Sequence, residues 1–115
     1  MEVFNRALAL ERLDGDPDRL ADLLGAFKKN VHYVLQDLES ARRKEERERV
    51  ESLAIELRES VRRIGAEGME DLAARMVQAA RESDFGEVEV LLSHMGMELD
   101  WLLRILDENR CSGNL

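Results

Sequence analysis

The sequence predicts an all-α fold, an antiparallel up-down-up-down four-helix bundle with a short additional N-terminal helix. Three observations predict it. Apolar residues recur at spacings of three and four along most of the chain, the mark of amphipathic helices. The only proline, Pro17, follows Asp16 in a place suited to a helix start. Hydrophobic residues at 44% and charged residues at 37%, with only 4% aromatics, suit helices better than sheets or a disordered chain.

A short helical pattern runs from Phe4 to Leu13, and "DGDPDR" breaks it. Asp16 then serves as N-cap and Pro17 as the first helical residue of a second helix, whose stripe is Leu20, Leu23, Leu24, Phe27, Val31, Val34, Leu35 and Leu38. Every residue from Arg42 to Arg49 is charged. The stripe resuming at Val50 is rotated by roughly 120° from the earlier one on a straight helix, so a turn is expected inside that run. One helix continuing from residue 17 to 64 is the alternative, because neither glycine nor proline marks the turn.

The third helix buries Val50, Leu53, Ala54, Leu57, Val61 and Ile64, and Gly65 ends it as a C-terminal cap. Met69, Leu72, Ala73, Met76 and Ala80 define the fourth, closed by "ESDFGE", where Ser83 or Asp84 can cap the next helix. The fifth has two apolar faces: Phe85, Val88, Leu92, Met95, Leu99, Leu102 and Leu106 on one, and Val90, Met97 and Trp101 with His94 on the other. Four long amphipathic helices with short connections fold most economically as a bundle, the first helix packing across one end. Residues 1–110 form a single domain, and 111–115 are a polar tail.

Composition excludes several functions. A net charge of -8 disfavours duplex nucleic acid and anionic membrane surfaces as partners. "RRKEERER" interleaves five cations with three acids and has no aromatic residue for base stacking, so it reads as a solvated turn. The start has no secretory pattern and no segment approaches about 18 apolar residues, so a cytoplasmic location is expected. The single cysteine, Cys111, permits neither an internal disulfide nor a thiolate metal cluster. Most glutamates fall outside the core stripes, so the pattern does not support a carboxylate metal site in the bundle centre; no metal or cofactor is expected.

The order of a short helix and four longer ones, with "FNRALALERLDGD" at the start and "IGA" closing the third, resembles the histidine-containing phosphotransfer (HPt) family of two-component phosphorelays. The likeness extends from about Phe4 to Leu106 and includes "MEDLAARMVQAARESDFGEVEVLLSHMGMELDWLLRIL". Family members carry H-x-x-K-G on the third helix, followed six residues later by Gly-Ala. Here Ile55 stands at the histidine, Arg58 at the lysine and Glu59 at the glycine, with Gly65 and Ala66 at the closing pair. The resemblance implies a face that docks a response-regulator receiver domain or a sensor histidine kinase.

Helical geometry puts Ile55 about 140° from Val50, so Ile55, Arg58, Glu59 and Arg62 are expected on the surface. Isoleucine has no lone pair with which to attack phosphorus, so no phosphate is carried there and the chain is not expected to be an enzyme. Arg58 retains positive charge, while Glu59 puts a bulky anion where the family has a hydrogen atom. The sharp reading makes Ile55 the anchor of a partner contact rimmed by Arg58, Glu59 and Arg62. The bland one makes it an isolated surface aliphatic.

Three functional classes follow: a pseudo-phosphotransfer adaptor; an active phosphotransfer protein using His32 or His94 instead; and a structural or chaperone-like bundle. His32 follows Lys28 and Lys29 by a turn and is expected to be exposed in a cationic setting, whereas His94 is expected to be partly buried among apolar neighbours. The second face of the fifth helix, with Val90, His94, Met97 and Trp101, is covered either by the first helix or by a homodimer or partner contact.

Overall fold

A computed structural model describes residues 2–113, with side chains from Glu2 to Asp107, and all its regular structure is helical. The helices are α1 (Arg6–Arg12), α2 (Pro17–Arg43), α3 (Arg47–Arg63), α4 (Glu67–Arg81) and α5 (Phe85–Gly113). The charged run does contain a turn, so the continuous 17–64 helix does not form. Helix α5 runs three residues into the segment read as tail, and the side chain of Cys111 lies outside the described residues.

Helix starts follow local chemistry. Asn5 Oδ1 accepts from Leu8 N at 3.0 Å, Asp16 Oδ1 accepts from Asp18 N and Arg19 N at 3.1 Å each, and Asp84 Oδ1 accepts from Glu87 N at 3.0 Å. Each satisfies a first-turn amide that has no partner within its helix.

Helix ends share one geometry. After α2, Glu46 N donates to Ala41 O at 2.9 Å and Glu45 N to Arg42 O at 3.0 Å; after α4, Asp84 N donates to Ala79 O at 2.9 Å and Ser83 N to Ala80 O at 3.0 Å. These paired bonds form the Schellman motif, which requires a left-handed residue at its centre. Gly65 fills that place after α3 with φ 71°, but Glu45 and Ser83 fill it after α2 and α4 with φ 54° and 55°. The α2–α3 turn is therefore made without the residue that usually signals one.

Three-residue connections return the chain beside the helix it has just left. Contacts of α2 with α3, α3 with α4, α4 with α5, and α5 with α2 close a ring around a common apolar core. Val31 and Leu38 of α2, Val50, Ala54, Leu57 and Val61 of α3, Met69, Ala73, Met76 and Ala80 of α4, and Val88, Leu91, Met95, Leu99 and Leu102 of α5 are all buried in it. On α5, Leu91 is buried while Phe85 and Leu92 are half-buried, so the inward face is turned slightly from the expected stripe.

Helix α1 packs at one end, with Ala9, Leu13 and Leu20 in a small separate cluster and contacts to α2 and α3. Asn5 N donates to Gly65 O at 2.7 Å, Gly68 N to Glu2 O at 3.0 Å and Arg12 Nη1 to Arg62 O at 2.6 Å. These bonds hold the N-terminal segment over the α3–α4 turn. Among the described residues no Cα of α1 comes within 8 Å of one in α5, and Val90, Met97 and Trp101 on that helix's outer face are left exposed.

Candidate functional site

Glu51, Ile55, Arg58 and Arg62 fall within about 60° of one another on α3 at 100° per residue, and so form a single row. This row runs along the seam with α4. At its first turn Arg81 Nε donates to Glu51 Oε1 at 3.1 Å, and at its last the Arg62 carbonyl accepts from Arg12. Glu59 lies on the outer side of the row and is exposed, as is Arg62.

Two of the four expected surface residues are less open than helical geometry alone implies. Ile55 is half-buried and packs against the main core, and Arg58 is half-buried too. The cause is the composition of the facing helices. Ala54 of α3 and Ala73 and Ala80 of α4 are fully buried, and side chains this small let the two helices approach closely enough to cover the flank of α3. Ile55 is thus part scaffold and part surface. Its packing against the core sets it apart from an isolated surface aliphatic.

Arg58 lines a shallow cleft with Arg12, Glu67, Glu70, Asp71 and Ala74. Arg12 Nη1 lies 3.8 Å from Glu70 Oε1. Two guanidinium groups among three carboxylates leave this patch close to neutral, so the positive charge expected at Arg58 is offset by its surroundings. The sequence could not reveal that environment, because the acids reside on a different helix and depend on how α4 is rotated.

The two histidines are both exposed and far from this row in sequence and element. His32 lies on the outer side of α2, beside a shallow depression lined also by Glu39, Ser40, Arg43 and Lys44. His94 is exposed, contrary to the partial burial expected, because α1 stops short of α5 and leaves its outer face open. Val90, Met97 and Trp101 share that face at 48%, 67% and 59% exposure. Tyr33, at 67%, is a further exposed aromatic on α2, outside the apolar stripe of that helix. Its position two residues beyond the core residue Val31 was the available signal.

Among the described residues no group of three or more His, Cys, Asp or Glu side chains is placed to hold a metal ion. No described helix is long and apolar enough to cross a membrane. On α2, Arg42 Nε donates to Glu39 Oε2 at 2.9 Å and Arg43 Nε to Glu39 Oε1 at 3.0 Å. Hydrogen bonding from Arg42 holds the Glu39 carboxyl below its ordinary value, and the same contact raises Arg42. This pairing steadies the end of α2 before the turn. No family model, curated protein or solved structure matches the chain.

Proposed function

We propose that this chain is a phosphotransfer-like binding module: an up-down-up-down bundle of the HPt kind that docks a receiver domain or sensor histidine kinase in the cytoplasm without carrying phosphate. The observation that supports it is the row on α3. Ile55 occupies the position of the phosphoacceptor in the resemblance, and its neighbours Arg58, Glu59 and Arg62 include no imidazole to take over the transfer. A half-buried aliphatic ringed by charged groups has the form of a contact anchor with a polar rim. Such a module sequesters or couples its partner by binding alone.

The direct test uses the exposed rim, whose substitution does not disturb the core. Glu59→Arg and Arg62→Glu are expected to weaken capture of phosphorelay receivers or kinases at least tenfold while leaving the melting temperature within about 2 °C. Undiminished capture by both variants removes the α3 face from the function, and absence of any phosphorelay protein among specific binders removes the proposal. An active relay through His32 has one observation in its favour: its exposure beside Arg43 and Lys44. Acid-labile label on His32 after incubation with phosphorylated receivers would establish that alternative.

A further inference from the structure

The outer face of α5 has a pattern that reads the same in both directions. Glu87, Val90, His94, Met97, Trp101 and Arg104 are separated by three, four, three, four and three residues, the spacing that keeps a seam on one side of a helix. All six are exposed. Reversing the order exchanges Glu87 with Arg104, Val90 with Trp101 and His94 with Met97, about a midpoint between Met95 and Gly96.

We propose that two copies of this chain associate through α5, antiparallel across a two-fold axis at that midpoint, placing Glu87 opposite the second copy's Arg104, Val90 opposite its Trp101 and His94 opposite its Met97. A two-fold contact must be self-complementary, and this stripe meets that demand in charge as well as in shape. An acid closes one end and a base the other, so antiparallel pairing joins opposite charges twice. Parallel pairing would set Glu87 against Glu87 and Arg104 against Arg104. The stripe itself is neutral on a chain of net charge -8, so its six residues add no net repulsion between two copies. On the α4 side Asp71 and Glu98 line a cleft with His94, Met97 and Trp101, and Glu98 lies against Gly68, where an added Cβ would fall within contact distance of its carboxylate.

The span from Glu87 to Arg104 is about 26 Å at 1.5 Å per residue, long enough for five turns of helix to pair. Trp101, Met97 and Val90 supply the apolar area, with Trp101 as the largest single contribution. This contact uses α5 alone and is independent of the reading of α3.

The experiment is sedimentation equilibrium of the full chain over micromolar to sub-millimolar concentrations. The expected mass rises toward twice the 13.2 kDa chain. Glu87→Arg and Arg104→Glu singly weaken association about tenfold or more, and the double variant restores it, since the reversed charges again meet as opposites. Register is read separately in a Cys111→Ser background by mixing Val90→Cys with Trp101→Cys chains. The expected product is the mixed disulfide. A monomer at every concentration, association indifferent to both charge reversals, or Val90→Cys chains that crosslink chiefly to each other would overturn the proposal.

Discussion

Replacing Gly65 by alanine tests how α1 is held on the bundle. Gly65 adopts φ 71°, and a Cβ built there would lie well inside contact distance of the Asn5 carbonyl oxygen, 3.1 Å from Ala9 Cβ and 3.2 Å from Asn5 C. The left-handed conformation alone costs an alanine about 1–2 kcal/mol. The close approach adds a second cost, because the obstructing atoms are backbone and yield only if α1 moves away. Moving it breaks the 2.7 Å bond from Asn5 N to Gly65 O, worth about 1 kcal/mol, and loosens the packing of Ala9. The total is about 2–4 kcal/mol.

Gly15 is the internal control. It has φ 77° but nothing within 4 Å of an added Cβ, so Gly15→Ala incurs the conformational cost alone, about 1–2 kcal/mol. Urea denaturation followed by far-UV circular dichroism compares the two. The expected difference is about 1–2 kcal/mol in favour of Gly15→Ala, with both variants retaining their helices. Equal destabilisation would show that the contact of α1 with the α3–α4 turn contributes nothing, and would refute the packing described here.

Three other outcomes follow from the same geometry. Glu45→Gly, and separately Ser83→Gly, relieve left-handed strain at the ends of α2 and α4 and are expected to stabilise by about 0.5–1 kcal/mol after the entropic cost of glycine, measured by thermal unfolding. Ile55→Ala is expected to cost about 1–2 kcal/mol, less than a fully buried isoleucine but more than an exposed one, measured by urea denaturation. Arg42→Ala is expected to raise the Glu39 pKa toward its ordinary value of 4.5, measured by carboxyl carbon NMR. Because folding lowers that pKa, the stabilisation it gives is present above the ordinary carboxylate value and lost as pH falls through the folded one, so the acid limb of wild-type stability is steeper than that of the variant.

Helix identity and most boundaries were legible because apolar spacing and caps are local signals. Asp16 with Pro17, Gly65 before Ala66, and Asp84 before Phe85 each act within one turn. The α2–α3 turn was legible only as a change of phase, since Glu45 holds a conformation usually left to glycine. The exposure of Ile55 and Arg58 was misread because it depends on the distance between α3 and α4, set by Ala54, Ala73 and Ala80 rather than by anything on the exposed side of α3. The two faces of α5 were visible as periodicity. What covers the second was not: the reach of α1 is limited by its bonds to the α3–α4 turn, which a linear pattern does not display.

The most direct measurement of the proposed role is a titration of purified chain against phosphorelay receiver and kinase domains from the same cell, with phosphorylated and unphosphorylated partners in parallel arms and radiolabelled phosphate followed throughout. Saturable binding that the Glu59→Arg and Arg62→Glu variants lose, with no label passing to the chain, is the predicted result. Stable acid-labile phosphate on this protein, or no binding to any such domain, would contradict it.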